Sequence, residues 1–229
     1  MSPEEALARL SAQGVDALCI IAPRSSSLAA LRRLDVRVPM LVISATDDPL
    51  FHTLSVDQSE GARLAVRHLV ELGHRELLHV AGPLDWVEAR ARERAFRDEI
   101  HAQGLRERPI VVGDWTADFG YEYARTGTGM PPYTAIFAAN DEMALGIIHG
   151  FAERGIRVPQ DVSIVGFDDI PTARHFLPPL TTVVQDFHTL GTRAMAHLVQ
   201  VLSGGVTPEA SPFIPVDVVV RSSTSPPRD

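Results

Sequence analysis

The stretch "TAIFAANDEMALGIIHGFAERGIRVPQDVSIVGFDDIP", residues 134 to 171, reads as strand, helix, strand. "TAIFAA" (134–139) and "VSIVGF" (162–167) are short, continuously apolar runs, and the helix between them, 141–154, closes on Gly155. A strand covered on both faces carries apolar residues consecutively and not alternately, which marks a parallel sheet sandwiched between helices. The second strand ends in an aromatic and two carboxylates, Phe167, Asp168 and Asp169, followed by Pro171. In such sheets ligands sit beyond the carboxyl ends of the strands, so this ending points to a binding cleft.

The same alternation extends in both directions. Upstream lie a helix over 3–13, a strand over 16–22, a serine-capped helix near 26–34, strand 40–44 and, after a loop, a helix over 57–73. Strand 76–81, helix 87–103, strand 109–113 and a short helix near 118–125 lead into the quoted stretch. Strand 181–184, helix 187–203 and the extended "FIPVDVVVR" follow it, and the "SSTSPPRD" tail looks loose. Strict β–α alternation predicts parallel sheets with helices on both faces. The residues to inspect are those at strand ends: Pro23, Ser44, Gly82, Asp114, Asn140 and Asp168.

Composition narrows the function. With 229 residues, 45% of them hydrophobic, the chain holds one large α/β domain or two small lobes. A net charge of −8 with no basic cluster excludes a stand-alone nucleic-acid binder. The single cysteine, Cys19, cannot form an internal disulfide, fits a reducing cytoplasm, and is expected to be buried and inert. No run reaches the roughly 20 apolar residues of a membrane span, and the acidic N-terminus is not a secretory signal.

Catalytic machinery is not visible. There is no G-x-S-x-G elbow, no P-loop and no G-x-G-x-x-G after a strand, and "GTGMPP" (127–132) lies between helix and strand as a turn. The histidines are scattered, without metal-ligand spacing, and no cofactor is expected. Asp168 and Asp169, as neighbours on an extended strand, face opposite ways and cannot act together on one bond. An enzyme is therefore not expected.

Binding chemistry is visible. Trp86, Glu88 and Arg92 follow strand 76–81, Trp115 follows the next strand, Asn140 ends another, and Gln185 follows 181–184. An aromatic face with amides, a carboxylate and an arginine around it suits a sugar, whose hydroxyls both donate and accept. Each residue also has a structural alternative: Asn140 as a helix N-cap, Trp115 as core, Arg92 as a solvated helix residue.

Three long stretches, "SVDQSEGARLAVRHLVELGHRELLHVAGP" (55–83), residues 138–171 and "PPLTTVVQDFHTLG" (178–191), resemble the lac repressor family of bacterial transcription regulators. "GPLDWVEARARERAF" (82–96) and "GDW" (113–115) are most similar to its sugar-responsive members. The resemblance implies a type I periplasmic-binding-protein-like fold: α/β, with two doubly wound parallel-sheet lobes clamping a small-molecule effector. Crossovers would fall near Val56, Gln185 and Ala210, giving one lobe from 1–56 plus 187–209 and another from 57–185 plus 210–229. The resemblance implies effector contacts for Arg92, Trp115, Asn140, Asp168 and Gln185, with Trp86 and Glu88 at the pocket rim. It also implies a cytoplasmic homodimer that reaches operator DNA only through a headpiece. On this alignment the chain starts after that headpiece and after the first strand, helix and second strand, so the first lobe is expected to be incomplete. The rival class is an exported solute-binding protein of the same fold. The "LTTVVQDF" stretch and the lack of a signal weigh against it.

Overall fold

The computed structural model describes residues 5–6, 9–10, 12–34, 36–46, 48–205 and 213–228. The helix expected over 3–13 and the crossover expected near Ala210 fall largely or wholly outside them. The chain divides into two compact units: Met1–Asp57, Asp85–Glu88 and Asp186–Pro215 form one, and Gln58–Leu84, Ala89–Gln185 and Val216–Asp229 the other. No helix among the described residues is long and apolar enough to cross a membrane.

The first unit is built on a parallel sheet, β1 (Leu18–Ile21), β2 (Met40–Ile43), β3 (His52–Val56) and β9 (Phe213–Ile214), in that order. Leu28 and Leu31 of α1 (Ser25–Leu31) pack with Ala22 and Val42, and α6 (Phe187–Leu202) packs on β2 and β3. β3 falls where the sequence reads as a loop, because "HTLSV" mixes polar residues with too few apolar ones to signal a strand. β1 is not covered on both faces as expected. Its burial alternates, Ile21 is 75% exposed, and Cys19 lies on the same open side and is exposed, not buried. Nor is α1 capped by a serine: Arg24 holds that position, with no side-chain cap.

The second unit carries six strands in the order β10-β8-β7-β6-β4-β5, parallel except for β10 (Asp217–Val219) against β8 (Thr181–Val184). The others are β4 (Leu77–Ala81), β5 (Val111–Val112), β6 (Ala135–Ala138) and β7 (Ser163–Asp168). Side chains alternate strictly across this sheet. Leu77, Ala135, Phe137, Val165 and Phe167 pack under α2 (Gln58–Glu71) and α3 (Val87–Ala102). Leu78, Val80, Ile136, Ala138 and Ile164 pack under α4 (Ala117–Thr126) and α5 (Asp141–Glu153). Both faces are dry, so the strands read as continuous apolar runs. "FIPVDVVVR" splits in two, β9 joining the first sheet and β10 the second.

The chain runs from β4 outward to β5, then returns to the other side of β4 as β6. That reversal is a topological switch point, where the loops leaving neighbouring strands diverge and open a crevice at their carboxyl ends. The "SSTSPPRD" tail is not loose. Ser223 is fully buried and donates to the Ile164 carbonyl at 2.6 Å, while the buried His74 shares hydrogen bonds with Thr134, Ser163 and the Ser225 carbonyl.

His79, central in β4, is stacked between Phe96 and Phe137, with ring centroids 4.9 and 4.7 Å away. Burial drives its pKa down to about 4, although the hydrogen bond to the Phe137 carbonyl opposes the shift. A histidine held neutral in the fold stabilises it above its unfolded pKa of 6.5, and that contribution is lost as pH falls from there through about 4. The shift corresponds to about 3 kcal/mol at most. Urea midpoints at pH 7.5 and 4.5 are expected to fall further apart in the native protein than in His79→Phe. Equal spacing in the two proteins would mean that His79 does not titrate with unfolding.

Candidate functional site

At the carboxyl edge of the second unit's sheet, four side chains close into a ring. Arg92, from the second turn of α3 and only 4% exposed, donates from Nε to Gln58 Oε1 at 2.7 Å and from Nη1 to the Ala139 carbonyl. Gln58 Nε2 donates to Gln185 Oε1 at 3.0 Å, and Gln185 Nε2 donates to Asp168 Oδ1 at 2.5 Å. Arg92 Nη2 lies 3.9 Å from the same Asp168 oxygen and closes the circuit as an ion pair. Each amide accepts with its oxygen and donates with its nitrogen, so the ring fixes both amide orientations. The guanidinium rests on the Phe167 ring, 3.8 Å from its centroid, with the Trp115 ring at 5.6 Å. Flat stacking of this kind neutralises the cost of desolvating a guanidinium on its apolar faces.

Asp168 is the last residue of β7, and its side chain is 24% exposed. Burial raises its pKa, while Arg92 and Gln185 pull it back. Oδ1 is held by the ring, and among the described residues Oδ2 accepts no hydrogen bond from the protein. One carboxylate oxygen thus remains for an incoming hydroxyl. The two acids do diverge, but not because the strand is extended there. Asp168 and Asp169 both have positive φ, 120° and 51°, and Asp169 turns to pair with Arg221 at 2.6 Å.

Trp115, half-buried with φ of 76°, follows β5. Its ring lies so close to Gly82 that any Cβ there would come within 2.2 Å of it, which explains the glycine after β4. Asn140 is the N-cap of α5, its Oδ1 accepting from Met143 N at 3.0 Å. Its Nδ2 donates to the Trp115 carbonyl at 2.9 Å, so the amide also fixes the tryptophan's backbone.

Five of the seven candidates, Arg92, Trp115, Asn140, Asp168 and Gln185, therefore meet at one edge of one unit. Trp86 and Glu88 belong to the other unit, where Arg24 lies 5.9 Å from the Trp86 ring and Glu88 Oε1 accepts from Ala45 N at 3.3 Å. Strand-end position does not select Gln58, although it links Arg92 to Gln185; its only sequence signal is its place at the start of a helix just after a strand. Among the described residues no three His, Cys, Asp or Glu side chains converge to hold a metal ion.

A doubly wound sheet with polar side chains gathered at its switch point is the arrangement in which such folds hold small ligands. A family profile described as "Periplasmic binding protein-like domain" matches residues 66–224. The lactose operon repressor of Escherichia coli K12 is 35% identical over 225 residues, which span 97% of this chain and 62% of the repressor. The transcriptional repressor PurR of Haemophilus influenzae is 31% identical over 236 residues, covering 97% of this chain and 69% of PurR. A dimeric lac repressor structure superposes with a TM-score of 0.90 at 33% identity, over 98% of this chain and 83% of that one. The complex of the transcriptional regulator CelR with cellobiose gives 0.85 at 28% identity, over 96% and 69%. The chain belongs to the lac repressor family, as its periplasmic-binding-protein-like effector-binding domain. These relatives are regulators and not enzymes, in agreement with the missing catalytic motifs.

Proposed function

We propose that this domain binds a neutral mono- or disaccharide, or a close polyol, as the effector of a transcriptional repressor. The observation that carries the reading is the Arg92–Gln58–Gln185–Asp168 ring, which holds a carboxylate with one oxygen still to be satisfied beside an aromatic platform. Asp168 accepts from sugar hydroxyls, Arg92 and Gln185 donate to them, and Trp115 covers an apolar sugar face. Asn140 contributes through its remaining amide hydrogen, since its oxygen already caps α5. Trp86 and Glu88 keep their assignment to the pocket rim on family resemblance alone. The cellobiose bound by CelR supports a sugar as the ligand class. With a net charge of −8, this domain leaves operator contact to a separate headpiece, in a cytoplasmic protein.

Calorimetric screening across sugars, purines and amino acids tests the class. A sugar is expected to bind, and Asp168→Asn is expected to weaken it by ~1–3 kcal/mol while costing less stability than Arg92→Ala, because the asparagine oxygen still accepts from Gln185. A purine as the only ligand would overturn the sugar assignment and leave the family intact.

The same reading includes a homodimer, as the dimeric lac repressor supports. Ile148, Ala152, Ile156, Val158, Leu177 and Pro178, with Arg157 and Gln160 among them, line a mixed groove in which Leu177 is 88% exposed. An exposed leucine on such a groove suits burial against a second copy. Light scattering is expected to give a dimer at tens of micromolar and a monomer for Leu177→Glu; a monomeric native protein would reject the interface.

A further inference from the structure

Asp141, the first residue of α5, has a carboxyl group that is fully buried and serves none of the roles assigned above. Its partners lie on two other segments. Oδ2 accepts from Ile170 N at 2.9 Å, in the turn after β7, and Oδ1 accepts from Thr182 Oγ1 on β8 at 2.5 Å. An acid in the first turn of a helix ordinarily complements the helix dipole from the surface. That role explains neither the full burial nor the two distant partners. The approach is also built into β7: a Cβ at residue 166 would lie 2.2 Å from Asp141 Oδ1, so the carboxyl reaches Ile170 and Thr182 only because Gly166 has no side chain.

The turn that Asp141 holds is a strained one. Asp168 and Asp169 are two of only three described residues other than glycine with positive φ. L side chains adopt that region only when the surroundings over-determine it. On one side Arg221 pairs with Asp169, and on the other Asp141 accepts from Ile170, so the backbone is anchored directly after the residue that faces the site.

We propose that Asp141 is a positioning residue for effector binding: its buried carboxyl pins the Asp168–Ile170 turn to α5 and β8 and thereby aims Asp168 without touching the ligand. The proposal rests on the reading of Asp168 as an effector acceptor. It adds a residue that no strand-end pattern selects.

Amide hydrogen exchange at Ile170, followed by NMR without any ligand, tests the pin. In Asp141→Ala the Ile170 amide is expected to exchange about a hundredfold faster, while amides of β4 and β6 keep their native rates. Asp141→Asn, with one acceptor oxygen for two donors, is expected to fall between, at about tenfold. Should Asp141→Ala fail to fold, the asparagine variant alone decides. An unchanged Ile170 amide, or equal acceleration at every amide, overturns the proposal. Calorimetry with cellobiose then reads the consequence. Asp141→Ala is expected to weaken binding at least about tenfold in the native background and less than about twofold when Asp168→Asn is already present. Equal losses in both backgrounds would show that Asp141 does not act through Asp168. A native protein that binds no cellobiose counts against that sugar alone, because the exchange result uses no ligand.

Discussion

Arg92→Ala is expected to abolish effector binding and to lower the stability of the second unit by about 3 kcal/mol, the usual cost of removing one partner from a buried, paired charge. Three acceptors depend on this guanidinium: Gln58 Oε1, the Ala139 carbonyl and, through the ion pair, Asp168. Without it the ring opens at two points, and Gln58 no longer has a fixed donor to orient its amide toward Gln185. Burial already raises the Asp168 pKa, and removing the nearby cation takes away the largest opposing influence. The variant's carboxyl is therefore more readily protonated and a poorer acceptor for a hydroxyl. Arg92→Lys is expected to restore part of the stability but little of the binding, because an ammonium lacks the planar fork that serves Gln58 and Ala139 together. Urea denaturation and calorimetry on the same samples separate the two effects. Native-like affinity in Arg92→Ala would exclude the ring from effector recognition.

Gly146→Ala is expected to cost about 3 kcal/mol, at the upper end for overpacking, because the obstacle is backbone and cannot swing away. A Cβ at residue 146 would come within 1.9 Å of the Ala117 carbonyl oxygen and 2.6 Å of Tyr121 N. Gly120 and Gly150 make similar approaches, to the Met143 and Tyr121 carbonyl oxygens at 2.2 and 2.7 Å. The helices α4 and α5 thus touch through their backbones. Their N-terminal ends carry Trp115 and Asn140, so separating the helices displaces both site walls at once. Thermal unfolding and Trp fluorescence of the variant check this. A variant as stable as the native protein would show that the helices part without cost.

The second unit was legible in the sequence because its strands are buried on both faces. "LLHVA", "AIFA" and "SIVGFD" could hardly be anything but covered parallel strands, and each lies within a residue or two of its expected place. The first unit was harder to read. β1 is apolar throughout yet covered on one side only, so hydrophobicity overstated its burial and misplaced Cys19. β3 carries His52, Thr53 and Ser55, and its strand state is fixed by pairing with β2 and β9, which local composition does not record. The tail looked loose because serine and proline dominate it. It is ordered by hydrogen bonds to residues some sixty positions away, such as Ser163 and Ile164.

At the site, strand-end position selected the residues that project from loops. It missed Gln58 and Asp141, which connect them. Gln58 and Gln185 are 127 residues apart and meet only through the fold. Asp141 reads as an ordinary first-turn acid until its partners on β8 and after β7 are seen. Asn140, for which a cap and a cleft contact were both open, is a cap that also holds Trp115.

The most direct measurement is a sugar titration of isotopically labelled protein, followed by NMR of the side-chain N–H groups at the site. If the ring is the effector site, the Arg92 Nε–H, the Gln185 amide and the Trp115 indole resonances shift together and saturate at one sugar concentration, and Asp168→Asn weakens all three equally. If a sugar binds and those resonances stay still while groups elsewhere respond, the ring is a structural network and the effector site lies elsewhere in the protein.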